Sequence, residues 1–254
     1  MTTMNSNIEK INKTEKDFLS GPGSRWKEFL YTISVVRQFV KAFRKLHFIG
    51  PSITLFGSAR FGEDHIYYQL SRLVSYELSK LGFTIMTGGG PGLMEAANRG
   101  AKEAGGLSIG CNIVLPKEQH HNPYLDEYVN IEHFFVRKEI LRKYSFAFVV
   151  LPGGFGTLDE FFETITLIQT KKMDPFPVVI MGTEFHKDLI NHIEFMAEQG
   201  TISKSDLDLV LFTDDVPEVV RFIHDFATGP AGLKTKKDYK PIWILGEKQI
   251  QKKG

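Results

Sequence analysis

Short apolar runs alternate with longer amphipathic runs along most of this chain. Each short run is apolar almost throughout, and glycines or prolines stand beside many of these runs. Such runs are typical of strands buried on both faces, whereas apolar spacings of three or four residues predict helices. The predicted strands are Ser52–Phe56, Phe83–Thr87, Leu107–Leu115, Val129–Phe134, Phe146–Leu151, Pro177–Met181 and Leu209–Phe212.

Helices are predicted between and after these strands. They are Tyr67–Leu81, Leu93–Ala104, Val136–Tyr144, Thr157–Thr170, Phe185–Glu198 and Pro217–Ala227. Alternation of buried strands and helices predicts a doubly wound α/β fold, with a mainly parallel sheet and helices on both of its faces. We expect one such domain over residues 51–228, with an N-terminal helical extension over 1–50 and a tail over 229–254.

The N-terminal extension has two parts. Residues 1–24 hold few large apolar side chains and predict a flexible arm, with a short helical piece around Ile8 to Leu19. Residues 25–46 predict an amphipathic helix. Its apolar face comprises Trp26, Phe29, Ile33, Val36, Val40 and Phe43. Two interpretations stand: the helix packs on the main domain, or it is a dimerisation element.

Composition narrows the classes of partner. The 254 residues carry a formal charge of +1, so we expect no nucleic-acid partner, even with a lysine-rich and loosely ordered tail after Gly229. Cys111 is the single cysteine, which fits a reducing cytoplasm, and its apolar neighbours indicate a core position. We expect no membrane partner and no export, because no apolar run is long enough to span a bilayer and the N-terminus lacks an apolar signal core.

Three glycine-bearing loops follow predicted strands: Gly57-Ser58-Ala59-Arg60, Gly88–Gly92 and Gly153–Gly156. The carboxyl ends of parallel strands meet at one edge of a sheet, so we expect the loops to share one crevice that binds a nucleotide or a sugar phosphate. The third loop leads into a helix, whose N-terminal amides and dipole favour phosphate. A G-x-G-x-x-G after the first strand and a Walker lysine are both missing, which disfavours hydride transfer and ATP hydrolysis.

Glu160 stands beside the third loop and has two interpretations. Thr157 and Glu160 have the Thr-x-x-Glu spacing of a capping box, in which the carboxylate would only cap the helix. A carboxylate beside an anion site also suggests a chemical task. Asp159 is expected to be an exposed acid in the first helical turn.

Arg137 and Lys138 are predicted in the first turn of a helix, where the dipole disfavours cations. They either serve the crevice, by holding an anionic ligand or pairing with Glu160, or are a solvated surface pair. His120 and His121 have no cysteine or acid at metal-binding spacing, so we expect no metal site.

These motifs together resemble the LOG (Lonely Guy) family, long labelled lysine decarboxylases. Pro152 to Glu160 matches its P-G-G-x-G-T-x-x-E signature, Gly88 to Met94 resembles its G-G-G-x-x-G-L-M loop, and Arg137-Lys138 matches its Arg-Lys pair. The resemblance covers roughly Ile53 to Ala227.

The sequence departs from the shorter members of the family in several places and resembles a longer bacterial branch. Phe134-Phe135-Val136 stands where those members have Met-His-x, Asp159 replaces the first acid of their Glu-Glu pair, the first loop reads Gly-Ser-Ala-Arg in place of Gly-Ser-Ser, and residues 1–50 are additional. These differences concern the preferred base more than the reaction.

The resemblance implies a cytoplasmic, Rossmann-like homodimer. Its activity would be hydrolysis of the N-glycosidic bond of a nucleoside 5′-monophosphate, AMP or a cytokinin riboside monophosphate, to free base and ribose 5-phosphate. No cofactor is implied, and the sequence shows no pyridoxal-phosphate lysine motif that would support decarboxylation. The alternative is a nucleotide-binding or sensory protein with little or no turnover.

The resemblance also assigns site residues. Glu160 and Arg137 match the catalytic glutamate and arginine, and Glu95 either joins the site or is an exposed helix acid. The residues expected to contact the substrate are Gly57, Ser58, Gly89, Gly90, Gly92, Met94, Lys138, Gly153, Gly154, Gly156 and Thr157.

Overall fold

The computed structural model describes residues 15–115, 121–230, 232, 241–242, 246–247 and 250. Its centre is a seven-stranded sheet in which all neighbouring strands are parallel. The strands are β1 (Ser52–Phe56), β2 (Thr84–Thr87), β3 (Ser108–Ile113), β4 (Glu127–Ile131), β5 (Ser145–Val150), β6 (Val178–Ile180) and β7 (Val210–Phe212). Their spatial order is β4-β3-β2-β1-β5-β6-β7.

Helices cover both faces of this sheet. They are α1 (Arg25–Leu46), α2 (Ile66–Lys80), α3 (Leu93–Glu103), α4 (Phe134–Tyr144), α5 (Phe155–Gln169), α6 (Lys187–Glu198) and α7 (Val216–Thr228), with a 3₁₀ helix over Lys204–Leu209. Residues 15–19 are also helical. Among the described helices, none combines the length and the apolar character that crossing a bilayer requires.

The two faces of the sheet carry two separate apolar cores. On one face, Ile53 and Leu55 of β1 pack with side chains of α2, α3 and α7. On the other face, Phe56 of β1 packs with side chains of α1, α4 and α5. Alternate residues of a strand point to opposite faces, so a strand that is buried on both faces must be apolar nearly throughout. The predicted doubly wound, Rossmann-like α/β architecture is confirmed.

Several element boundaries differ from the prediction by a few residues, and two of these differences concern the crevice. β4 ends at Ile131 and α4 begins at Phe134, so Phe134 and Phe135, which were read as strand and linker, lie in the first helical turn and are exposed. Helix α5 begins at Phe155, two residues before the predicted start at Thr157. An apolar run contains no signal for the exact residue at which a strand gives way to a helix.

The buried face of α1 is not the one predicted. Tyr31, Gln38, Ala42 and Leu46 are its buried residues. Polar contacts fix this orientation: Lys45 donates to the carboxylate of Glu127 at 2.7 Å, and the Gln38 side chain bonds to the backbone and carboxylate of Glu132. The predicted apolar face points outward, and Trp26 is 65% exposed. The helix therefore packs on the main domain, as one of the two interpretations expected, but through a face other than the predicted one.

The tail after α7 is described at a few positions. Gly246 lies against the guanidinium of Arg44 on α1, and Ile250 packs against the core that contains α1 and α4. The apolar stretch Ile242 to Leu245 lies mostly outside the described residues, as does the predicted helical piece before residue 15.

Candidate active site

The three glycine loops meet between the carboxyl ends of β1 and β5. These two strands are neighbours although three strands separate them in sequence, so the strand order reverses there. Ser58 ties the loops together: its N–H donates to the carbonyl of Pro152 at 2.9 Å, and its carbonyl accepts from the N–H of Leu93 at 2.9 Å. Ligands of open α/β sheets bind at such a reversal point.

The loop after β5 ends in an uncapped helix N-terminus. Gly154 is the N-cap of α5, where no side chain accepts from the helical amides, and Gly154, Phe155 and Gly156 are exposed. The N–H of Thr157 donates to the carbonyl of Gly154 at 3.0 Å, and Thr157 itself is buried. The first amides of a helix lack intrahelical acceptors and carry the positive end of its dipole, so this terminus suits an anion.

Gly153 fits the same turn closely. A β-carbon at Gly153 would lie 2.6 Å from the β-carbon of Thr157, which is closer than real contacts allow. Any larger residue would displace the loop from the helix terminus. The glycine is therefore required by packing at this position.

Glu160 is not part of a capping box. Because α5 begins at Phe155, Glu160 is its sixth residue, a turn beyond any capping position, and the capping interpretation is wrong. The side chain is buried, with the residue 2% exposed, and in the described part of the chain its Oε2 has no hydrogen-bond partner.

The pKa of the Glu160 carboxyl is raised from 4.5 to about 7, chiefly by burial and to a lesser extent by the negative charge of Asp159. The cations of Arg137, Arg142 and Lys138 oppose this rise. A carboxyl with a pKa near neutrality exchanges protons readily at physiological pH, which is the property of a general acid or base. Strongly perturbed carboxyls in a crevice are also candidate functional groups.

Arg137 lies against the loop after β2. Its Nε donates to the backbone carbonyl of Cys111 at 2.8 Å, which fixes the guanidinium under the carboxyl end of β3. A β-carbon on Gly88 would lie 2.5 Å from an Arg137 terminal nitrogen and 2.7 Å from the sulfur of Met94. The structure thus brings Arg137, Gly88 and Met94 together, as the motifs suggested.

Cys111 is a buried residue on which the charges of both Arg137 and Glu160 act. Burial raises the pKa of its thiol to about 12, with Arg137 lowering it and Glu160 raising it. Both charges therefore act on one buried sulfur, from α4 and α5. The thiol stays protonated and packs in the core, as the sequence indicated.

Lys138 is engaged by carboxylates. Its ammonium nitrogen lies 3.0 Å from both oxygens of Asp159 and also pairs with Glu163. Since α4 begins at Phe134, Arg137 and Lys138 are its fourth and fifth residues, so the expected conflict with the first turn's dipole is weaker than predicted. With both cations bonded to protein groups, the solvated-pair interpretation is wrong. Asp159 lies in the second turn and is exposed.

A buried polar network holds the loop after β2. The Asn122 side-chain amide donates to the Gly90 carbonyl at 3.0 Å and to Asn98 Oδ1 at 2.9 Å. The Thr87 hydroxyl donates to Asn98 Oδ1 at 2.6 Å and accepts from the N–H of Gly89 at 2.9 Å. Sequence reasoning missed this network. The signal available to it was a buried asparagine within the small-residue helix α3.

The remaining candidates have structural partners. Glu95 is half-buried and accepts from the hydroxyl of Tyr68 at 3.4 Å. His121 accepts from the Asn112 side-chain amide at 2.7 Å and stacks on the ring of Tyr128, whereas His120 lies outside the described residues. Within the described residues, no group of histidine, cysteine and acidic side chains is arranged to hold a metal ion.

Fold and crevice together define a Rossmann-like α/β protein with an uncapped, exposed helix N-terminus at the point where the strand order reverses. Residues 94–223 match the family model described as "Possible lysine decarboxylase". The cytokinin riboside 5′-monophosphate phosphoribohydrolase of Rhodococcoides fascians is 27% identical over 177 residues, 68% of this chain and 88% of that protein. The Mycobacterium tuberculosis enzyme of the same name is 30% identical over 159 residues, 60% of this chain and 83% of that protein. The chain therefore belongs to the LOG family.

A solved structure shares the fold at lower sequence identity. The molybdenum cofactor carrier protein of Chlamydomonas reinhardtii superimposes with a TM-score of 0.50 at 24% identity, covering 69% of this chain and 96% of that one. At this identity the likeness concerns the architecture alone.

Proposed function

We propose that this protein hydrolyses the N-glycosidic bond of a nucleoside 5′-monophosphate, with AMP as the first substrate to test. The observation that carries the proposal is Glu160, a buried carboxyl with a pKa of about 7 on the same helix as the exposed glycine terminus. Glu160 lies five positions after Phe155, a rise of about 8 Å along the helix axis. A ribose joins a 5′-phosphate at one end to a glycosidic bond at the other, so it suits this separation.

The phosphate is assigned to the amides of Gly153 to Thr157, where the dipole of α5 favours negative charge. The loop over Gly88–Gly92 and the side chain of Met94 form a wall for the ribose or base. Gly57 and Ser58 complete the cradle between the two other loops. Arg137, held by the Cys111 carbonyl, supplies a fixed positive charge next to the bound anion.

The chemical step breaks the bond from C1′ of the ribose to the base nitrogen. The electron pair leaves with the base, which takes up a proton, and C1′ gains positive character that an ionised Glu160 stabilises. Water then bonds to C1′ and gives a proton to the Glu160 carboxylate, which passes it to the base nitrogen, so that Glu160 is again ionised. The products are the free base and ribose 5-phosphate.

Chromatographic detection of adenine released from AMP tests this function. We expect Glu160→Gln to lower kcat by about 10²-fold or more, as removal of a general base does, and Arg137→Ala to lower kcat/KM. Lys143→Met, on an exposed lysine of the same α4 helix, is the control. Normal adenine release by both site variants would refute the assignment. Calorimetry that detects AMP binding without base release would favour the binding-protein alternative.

The preferred base is tested by a substrate series. AMP, GMP, CMP and N6-modified AMP present the same phosphate and ribose, so differences in kcat/KM report on the base alone. A preference for N6-modified AMP would assign the chain the substrate class named for its relatives.

We propose further that the protein is a homodimer, as the family resemblance implies. Six large apolar side chains of α1 are exposed, a concentration typical of protein interfaces: Trp26, Phe29, Leu30, Val36, Val40 and Phe43. We assign this face to a second copy of the chain. Light scattering should show a dimer that Phe29→Glu with Val40→Glu converts to a monomer. Leu73→Glu, at an exposed apolar residue of α2, should leave the dimer intact.

A further inference from the structure

A ladder of ion pairs joins α4 to α5. Lys138 pairs with Asp159 at 3.0 Å and with Glu163, and Arg142 pairs with Glu163 at 3.1 Å and with Glu139 at 2.7 Å. Lys138 and Arg142 are four residues apart on α4, and Asp159 and Glu163 are four apart on α5, so each pair lies on one helix face. Glu163 is shared by both cations and is the central rung.

The two cations of the ladder are largely withdrawn from solvent, whereas the side chains of Glu163 and Asp159 are 34% and 53% exposed. The Arg142 side chain is 4% exposed and that of Lys138 is 16% exposed. Burial alone would raise the pKa of Glu163, but the hydrogen bonds from Lys138 and Arg142 lower it. Breaking one partner of such a shielded pair leaves an uncompensated charge, which has a larger effect than breaking a pair in water.

Glu160 lies between the two acidic rungs on α5. The charged groups that act on it are Arg137, Arg142 and Lys138 from α4 and Asp159 from its own helix, and Glu160 in turn raises the pKa of the Cys111 thiol on β3. In the ladder, Lys138 and Arg142 each pair with acidic side chains. Arg137 forms no ion pair with any described residue and bonds to a carbonyl.

We infer that Lys138 and Arg142, bridged by Glu163, are positioning residues: the ladder holds α5 against α4 and keeps the Glu160 carboxyl in its buried place beside Arg137. This inference rests on the proposed function and gives Lys138 a role different from the substrate contact that its motif suggested. The ladder also neutralises two of the three cations near Glu160. Arg137 is then the cation left to the ligand.

Removing single rungs should move the ionisation of Glu160 in opposite directions. In Glu163→Gln, Lys138 and Arg142 lose the acid that they share and act more strongly on Glu160. The ionised form of Glu160 is then stabilised, so the acidic limb of the pH profile of kcat/KM should shift to lower pH by roughly one unit. In Lys138→Met, a cation is lost and the limb should shift to higher pH. Lys138→Arg keeps the charge and should restore the profile. The substrate phosphate titrates identically in all variants, so it does not affect the comparison.

Lys143→Met and Glu194→Gln, two exposed residues of α4 and α6, are the matched controls and should leave the limb in place. If Lys138 instead binds substrate, Lys138→Met would raise KM and leave the acidic limb of the pH profile in place, and that result would overturn the inference.

Circular dichroism establishes that each variant is folded. Asp159→Asn removes only the exposed rung, and should shift the limb in the direction of Glu163→Gln by a smaller amount.

A second measurement is independent of turnover. Carbon-13 NMR of the glutamate carboxyls in the full chain follows Glu160 directly, with Glu160→Gln identifying its signal. Should no nucleotide be hydrolysed while the Glu160 midpoint still moves as stated, the proposed function fails and the positioning role stands. A midpoint that is equal in wild type, Lys138→Met and Glu163→Gln refutes the positioning role, whatever the activity.

Discussion

Replacing Glu160 by glutamine should stabilise the protein at alkaline pH and leave its stability unchanged at acidic pH. The carboxyl is buried without a hydrogen-bond partner for Oε2 in the described part of the chain, so its ionised form is unfavourable in the folded state. Glutamine has nearly the same shape as protonated glutamate and does not ionise. The variant therefore removes the ionisation penalty and little else.

The size of the stability difference between wild type and Glu160→Gln follows from the pKa of Glu160. In the folded protein the pKa of Glu160 is about 7, against 4.5 for an unperturbed group. Between these values the native state binds more protons than the unfolded state, so wild-type stability falls as pH rises through this range and is constant above it. At 1.36 kcal/mol per pKa unit the difference amounts to about 3 kcal/mol, roughly 6–12 °C in Tm for a protein of this size.

Urea unfolding followed by circular dichroism, at intervals from pH 4.5 to 8.5, measures this difference. We expect the free energies of unfolding of wild type and Glu160→Gln to coincide near pH 4.5 and to differ by about 3 kcal/mol, in favour of the variant, above pH 8. Glu194→Gln, at an exposed residue, should show no such trend. Glu163→Gln should show the opposite trend, because the pKa of Glu163 is lowered and its ionised form is stabilising.

A difference between wild type and Glu160→Gln that is the same at every pH would refute the reasoning. Glu160 would then ionise as easily in the folded chain as in the unfolded one. The proposed general base would have no perturbed pKa, and its assignment would rest on the motif alone.

Four further predictions concern the crevice. The kcat/KM for AMP should rise with pH to a midpoint near 7, since Glu160 must be ionised to accept a proton; a flat profile between pH 6 and 8 would contradict this. Gly88→Ala should displace Arg137 and lower adenine release with little change in Tm, because the added β-carbon meets the guanidinium; unchanged release would place Arg137 outside the chemistry. Gly92→Ala should destabilise by at least about 1–3 kcal/mol, since φ is +69° and ψ −132° there and the added β-carbon would lie 2.5 Å from the carbonyl oxygen of Ser58; thermal unfolding measures the loss. Asn98→Leu should cost about 1–3 kcal/mol by leaving buried polar partners unpaired; a Tm equal to that of wild type would show that the network contributes nothing.

Most of the fold follows from local pattern. Strands such as β1 and β5 are buried on both faces over most of their length, so most of their residues are apolar and the runs can be recognised in the sequence. The helices that cover them have apolar faces of the expected period. The edge strand β4 is only partly buried, and it begins two residues and ends three residues before the predicted bounds, because a strand with little burial has a weak pattern.

The site was predicted less completely, for physical reasons that particular residues illustrate. The three loops contain glycines and prolines that are typical of turns, so their positions could be predicted from the sequence. The burial of Glu160 depends on α5 beginning at Phe155, which sequence spacing does not reveal because Gly154, an N-cap without a side chain, gives a weak signal. The outward face of α1 depends on polar bonds from Gln38 and Lys45, which periodicity of apolar residues ignores.

The order of strands also bears on how a growing chain assembles. Starting from β1, each strand up to β4 is added to the free edge left by the one before it, and β5, β6 and β7 are then added in turn on the other side. No strand has to insert between two that have already paired. Synthesis proceeds from the N-terminus, so β1 to β4 all leave the ribosome before β5, and a domain generally folds as a unit. Gly57 packs against both Leu93 and Leu151, one from each half, so the crevice comes into being only when the second half docks on the first.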